Sequence, residues 1–269
     1  MSKYQFGFIG CGNMGGALAL AASEVISCEK LAVCDTDSQK TKVFTNANKA
    51  TAVDLQTILT DCKYIFLAIK PQGFSSLFET VAPILAERTD EYVLVSMAAG
   101  VSIANMEAML KKPCPIIRMM PNTPVALGCG MILYSANEQT GEEEINEYLS
   151  GLSKAGVFDR IPEKMIDAAG SLSGCGPAFV YLFAEALADG GVECGVPRDK
   201  AQLYAAQTLL GAAEMLLQTG KHPGELKDAV CSPGGTTIAG VHALENGAFR
   251  ATVSNAVTAA FEKTARLKK

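Results

Sequence analysis

Histidine is almost missing from this chain: there are two in 269 residues, His222 and His242, both late. A zinc site or a histidine-based catalytic dyad in the first half is therefore excluded by inventory. CxxC pairs are missing too. The nine cysteines are an odd number and sit mostly inside apolar runs, as at Cys34, Cys62, Cys129 and Cys194, so reduced thiols are expected rather than a disulfide framework. No basic cluster interleaved with aromatics is present, and the net charge of −5 is spread without long runs, which leaves nucleic acid without a binding surface. No segment reaches about 18 uncharged apolar residues. The start, MSKYQ, lacks the basic, apolar and small-residue order of a signal peptide, so the expectation is a cytoplasmic protein with no membrane partner. No metal-ligand cluster is read in the sequence.

What the chain does have is length and apolar content. At 269 residues and 49% hydrophobic, it can build two ordinary domains, each with its own core. The first organising stretch is FGFIGCGNMGG at 6–16. An apolar run drops into Gly10, Gly12 and Gly15 at GxGxxG spacing, with Cys11, Asn13 and Met14 between them, and helical periodicity follows. Gly10 would allow the tight turn, Gly12 would let backbone come close to a pyrophosphate, and Gly15 would let the helix lie against the strand. Alone the motif is weak. Its required context is present, however: a strand before it, a helix after it, and Asp35 twenty residues past Gly15 at the end of the next apolar run.

Up to residue 161, short apolar strands (4–9, 31–34, 64–69, 92–96, 116–119, 131–134 and 157–161) alternate with helical stretches (14–23, 38–46, 55–60, 74–86, 103–110 and 142–155). The pattern predicts an α/β, Rossmann-like domain over 1–161 with a mostly parallel sheet, whose ligands bind beyond the carboxyl ends of the strands. Those ends carry recurring special residues: Ala68, Ile69, Lys70 and Pro71 after one strand, Ala98, Ala99 and Gly100 after another, and Asn122 in a Pro-rich turn after a third. Singly, each reads as well as a surface lysine or a turn residue; together they place the nicotinamide half of a dinucleotide at this rim.

After residue 161 strand signals stop, and 162–269 reads as an all-helical domain punctuated by Pro and Gly, with helices over 163–171, 177–189, 197–218, 223–231 and 249–267. The longest is rich in alanine, which fits either plain helix propensity or close packing in a homodimer. Between two of the helices lies Ser232-Pro233-Gly234-Gly235-Thr236-Thr237. Backbone N–H groups and hydroxyls at a helix start suit a carboxylate or another small anion, or else Thr236 or Thr237 is an N-cap.

In order and over essentially the whole chain, FIGCGNMG at 8–15, LAIKPQ at 67–72, SMAAGVSI at 96–103, RMMPNTP at 118–124, LSGCGPAF at 172–179 and SPGGTTI at 232–238 resemble pyrroline-5-carboxylate reductase. The resemblance implies NADPH- or NADH-dependent reduction of a small cyclic imine acid to L-proline. It also implies a helical C-terminal domain that interlocks with its twin in a homodimer, with larger rings known in the family. By the same resemblance Thr237 is the catalytic residue, a donor to the substrate nitrogen. Ser232, Gly234, Gly235 and Thr236 then hold the substrate carboxylate, and 68–71 with 98–100 line the cofactor. Two positions depart from the family pattern. Cys175 stands where Ser is usual, and Asp35 where NADPH-using members tend to have a short hydroxyl or a basic residue. A β-hydroxyacid dehydrogenase shares the layout but needs a lysine on the helix after the second-domain glycine loop, and none occurs between Lys164 and Lys200. A non-catalytic NAD(P)H-sensing oligomer is the rival from another class.

Overall fold

The structure is a computed structural model that describes residues 2–267. Its first part alternates β1 (Tyr4–Ile9), α1 (Asn13–Ser23), β2 (Leu31–Cys34), α2 (Ser38–Asn46), β3 (Thr51–Ala52), α3 (Leu55–Asp61) and β4 (Cys62–Leu67). Then come α4 (Phe74–Glu87), β5 (Val93–Ser96), α5 (Ile103–Met109), β6 (Ile116–Met120), β7 (Gly130–Ala136), α6 (Glu142–Gly151) and β8 (Gly156–Arg160). They form one eight-stranded sheet in the order β3-β2-β1-β4-β5-β6-β7-β8. Pairing is parallel except at β6 and β7, which run antiparallel. The order reverses direction at β1 and β4, and that reversal opens a crevice at their carboxyl ends.

The period of two along each strand explains the burial of both sheet faces. Phe6, Phe8, Tyr64, Phe66, Val95 and Ile117 form one core with α1 and α6, and the Phe8 and Phe66 rings stack 4.2 Å apart. Ile9, Ile65, Leu67, Leu94 and Ile116 form the other with Ile58 and Leu59 of α3, Phe78 and Val81 of α4 and Met106 of α5. The expected strands are all present. β3 was not anticipated, since two residues carry no periodicity and it exists only by pairing with β2.

Beyond Arg160 the described chain is helical: α7 (Glu163–Ser173), α8 (Gly176–Glu193), α9 (Arg198–Thr219), α10 (Pro223–Ala229), α11 (Thr236–Asn246) and α12 (Phe249–Leu267). Contacts divide the chain into two compact units, one running up to Cys175 and including the residues from Ala260 on, the other Gly176–Ala259. The last strand ends where the sequence places the domain boundary, but the first unit continues through α7. Gly170 of α7 lies so close to β6 that a Cβ there would be 2.9 Å from Met120.

In the second unit α8 and α9 pack through Ala188, Ala201 and Ala205, with Val192 and Val196 against them. Gly190 and Gly191, which follow the expected end of α8 at 189, lie inside it; the helix ends instead at Glu193, two residues before Gly195, whose φ of +94° is left-handed. The span Glu163–Glu193, which comprises α7 and α8, is long and apolar enough to cross a membrane by length and composition, a feature the sequence reading did not anticipate.

Candidate active site

The turn after β1 is built by its glycines. Gly10 has φ +98°, and a Cβ there would lie 2.5 Å from the Ala68 carbonyl oxygen; one on Gly15 would lie 2.1 Å from the Gly10 carbonyl. α1 therefore abuts the strand as closely as backbone allows. Hydrogen bonds from Gly10 N to Cys34 O (2.8 Å) and from Ala68 N to Ile9 O (2.9 Å) tie the end of β1 to both neighbouring strands. Gly12 is the N-cap of α1 and has no side chain to cap the first N–H groups, while a Cβ on it would meet open space. A helix start with uncapped N–H groups and an open approach suits a diphosphate, so the residues present fit a dinucleotide.

In front of this turn is a cavity of about 610 Å³. It is lined by Gly12, Asn13, Met14 and Gly15 from the turn, by Ala68, Ile69 and Lys70 after β4, and by Met97 and Ala99 after β5. Lys40, Met120, Pro121, Asp167, Gly170, Gly174, Cys175 and Thr264 complete the lining. Three strand ends thus converge, as their special residues suggest. The others of the expected set support the wall from behind. Ala98 is buried, Pro71 opens the short turn before α4, and Gly100 supplies a φ of +77° in the loop after β5. Cys11 is buried, its thiol against the Cys34 carbonyl oxygen; burial, with the charges of Asp35 and Cys34, pushes it up to about 12.

Asp35 binds inward. Its Oδ2 accepts from Cys11 N at 2.7 Å, its Oδ1 from Asp37 N at 2.9 Å, and Lys40 Nζ stands 3.6 Å from Oδ1. Burial pulls its pKa upward, but the N–H groups of Asp37 and Cys11, together with Lys40, outweigh that and hold it below the usual carboxylate value.

Asn122, expected at the cofactor rim, has its side chain held by backbone partners. It does not line the cavity: its Nδ2 donates to Ser173 O (3.0 Å), its Oδ1 accepts from Met131 N (2.9 Å), and it is 8% exposed. A buried amide so engaged with backbone clamps the β6–β7 connection to the end of α7. Lys40, Met97, Asp167 and Cys175 were not singled out as lining residues.

The glycine loop of the helical unit has Gly234 at φ +68° and a turn from Gly235 N to Ser232 O of 3.0 Å. Gly235 is the N-cap of α11, so neither Thr236 nor Thr237 caps the helix; both lie in its first turn and are exposed, as are Ser232 and Gly234. The first N–H groups of α11 have no side-chain cap, which leaves them and the threonine hydroxyls available to an anion.

A family model described as pyrroline-5-carboxylate reductase dimerisation matches residues 163–267, and one described as NADP oxidoreductase, coenzyme F420-dependent, matches 5–100. Pyrroline-5-carboxylate reductase 3 of Danio rerio is 41% identical over 267 residues, covering 98% of this chain and 92% of that protein. The chain belongs to the pyrroline-5-carboxylate reductase family. The reductase of Pisum sativum is 38% identical over 98% of this chain and 96% of its own. Among solved structures, the Plasmodium falciparum pyrroline carboxylate reductase with NADP bound has a TM-score of 0.89 at 32% identity, and the reductase of Coxiella burnetii 0.88 at 30%; each covers 100% of both chains. This family member has the expected Rossmann-like N-terminal domain and helical C-terminal domain.

Proposed function

We propose that this chain catalyses the NAD(P)H-dependent reduction of 1-pyrroline-5-carboxylate to L-proline, the last step of proline biosynthesis. The observation that carries the reading is the near full-length kinship with proteins of that name, which spans both the dinucleotide turn and the SPGGTT loop. The first N–H groups of α1 hold the diphosphate, with Gly12 leaving room for it. Asp35 and Lys40 face the adenosine ribose; Ala68 to Lys70 and Ala99 take the nicotinamide half. Reduced nicotinamide, when bound, supplies the hydride.

N–H groups around Gly235 and Thr236 hold the substrate carboxylate, with Ser232 and Gly234 shaping the loop, and the Thr237 hydroxyl hydrogen-bonds the substrate nitrogen. A cyclic imine already carries its proton near neutrality. The protein is therefore asked mainly for orientation, which suits a chain with no histidine before residue 222. As an orienting hydrogen-bond partner Thr237 contributes about a hundredfold to ten-thousandfold to the rate.

The test is oxidation of NADH and NADPH by the purified protein with and without pyrroline-5-carboxylate. Turnover only with the imine acid is expected. Dinucleotide binding without turnover would sink the enzyme reading and favour a sensor. Thr237→Ala should lower kcat roughly a hundredfold or more with dinucleotide affinity unchanged; an unchanged kcat would reduce Thr237 to a helix-start residue.

The reading includes a cytoplasmic homodimer that can assemble into rings, with neither nucleic acid nor membrane as partner. A net charge of −5 without a basic cluster supports this. So does the dimerisation family model over 163–267, which gives the apolar α7–α8 span a protein surface rather than lipid to cover it.

A further inference from the structure

Arg118 lies in the middle of β6, 2% exposed, between Ser96 of β5 and Ser135 of β7 in register. Its Nη1 donates to Glu163 Oε1 at 3.1 Å and its Nη2 to Asp167 Oδ1 at 2.5 Å. Glu163 and Asp167 are four residues apart on α7 and so share one face of it. The same Glu163 Oε1 accepts from Ile103 N at 2.7 Å, the first N–H of α5. One guanidinium thus fastens β6 to α7 and, through Glu163, to the end of the 97–102 loop. Those are the pieces that carry the cavity wall: Met97 and Ala99 from the loop, Met120 from β6 with Pro121 just past it, Asp167 from α7, and Gly174 and Cys175 just beyond it.

Stability does not account for such a cluster. A buried ion pair recovers its desolvation cost only with excellent geometry, and apolar residues of similar volume usually serve as well or better. Arg118 Nε, moreover, is buried with no hydrogen-bond partner. What a planar fork between two fixed carboxylates supplies is position.

We propose that Arg118 is a positioning residue for hydride transfer, which through Glu163 and Asp167 sets the cavity wall opposite the glycine turn. The proposal rests on the reductase reading. Misplacing reacting groups by about 1 Å costs on the order of a hundredfold in rate. Arg118→Lys keeps the charge but loses the fork. Glu163→Gln, at a side chain 30% exposed, keeps an acceptor for Ile103 but weakens the tie to Arg118.

The experiment measures, for wild type and both variants, kcat, KM for the imine acid, the affinity for NADPH from its fluorescence, and amide exchange over 97–103 and 163–175. Arg118→Lys should lower kcat about tenfold to a hundredfold, change NADPH affinity less than about threefold because the Gly10–Gly15 turn is untouched, and speed exchange in both segments. Glu163→Gln should do the same more mildly. Faster exchange with unchanged kcat would make the cluster merely structural and overturn the proposal, as would unchanged exchange or parallel losses of kcat and NADPH affinity. If Arg118→Lys fails to fold, Glu163→Gln decides by the same readouts. A wild-type protein without turnover would sink the reductase reading and the role in hydride transfer with it; the exchange data would then report only whether Arg118 holds this wall.

Discussion

Asp35 uses both carboxylate oxygens on backbone N–H groups, one in the glycine turn and one at the start of α2, and each oxygen keeps lone pairs for a ribose diol. The 2′-phosphate of NADPH would instead bring like charges together. At about 4 Å, on a partly wet surface, that repulsion is roughly 1 to 4 kcal/mol. Lys40 stands 3.6 Å from Asp35 and lines the cavity, so it offsets part of this. The expected outcome is NADH used at least as well as NADPH, with Asp35→Ser moving the kcat/KM ratio towards NADPH; a strong wild-type preference for NADPH, or a ratio that does not move, would show that Asp35 does not read the ribose. A second expectation concerns thiols. Burial pushes Cys62 up to about 12 and Cys114 to about 11 from an ordinary 9.0. Since the thiolate is the nucleophile, native protein at pH 8 should label at the exposed Cys129 and Cys194 and not at Cys62 or Cys114, as peptide mapping would show. A raised folded pKa means that the native state holds more protons above pH 9, so this contribution is complete below that and is lost as pH rises towards about 12. The fall of Tm above pH 9 should accordingly be shallower in Cys62→Ala. At this scale the turn built by Gly10, Gly12 and Gly15 was legible because its spacing is fixed and its geometry local. The clamp that Asn122 makes was not, because its partner, the Ser173 carbonyl, is 51 residues away, and the Arg118 cluster is hidden for the same reason.

At the scale of elements the period-two strands and the cap and breaker signals placed most boundaries within a few residues, and α2 and α12 coincide with the expected spans. The failures have tertiary causes. A glycine pair reads as a helix stop, yet α8 continues through Gly190 and Gly191 and packs on α9, where a Cβ on Gly191 would make ordinary contact with Ala201 Cβ at 3.4 Å. The glycine turn offers a sharper contrast. Gly12→Ala adds a Cβ to open space at an ordinary φ of −71°, and should cost about 1 kcal/mol or less of stability while weakening dinucleotide binding tenfold or more through loss of close approach. Gly15→Ala drives a Cβ to 2.6 Å from Ala68 Cβ as well as onto the Gly10 carbonyl, and should cost about 1 to 3 kcal/mol together with binding. Thermal unfolding and NADPH titration of the two variants check this; a Gly15→Ala protein as stable as Gly12→Ala would mean that the turn yields where the geometry says it is tight.

For the whole molecule, the helical unit poses a burial problem that one chain leaves unsolved. Its buried apolar residues are Ala188, Ala201 and Ala205, all small, whereas Tyr181, Leu182, Leu203, Tyr204, Leu210, Met215 and Leu217 are exposed, Leu217 at 85%. Monomeric proteins rarely leave contiguous apolar surface beyond a few hundred Å². The alanine-rich α9 made close packing legible in the sequence, but not which faces remain open, because that depends on how few contacts α8 and α9 make beyond each other. A twin presenting the same faces, as a two-fold interface requires, would supply the missing cover. Light scattering at micromolar concentration should therefore give at least twice the 28.3 kDa chain mass, and an even multiple above two would indicate rings of dimers. Leu203→Glu combined with Leu210→Glu places charges on that surface and should lower the mass to a single chain, with loss of helical circular dichroism and of activity, since helices without a partner have little core of their own. A wild-type chain that runs as a monomer with full turnover, or a double variant that keeps both its mass and its activity, would show that these faces are not where two subunits meet.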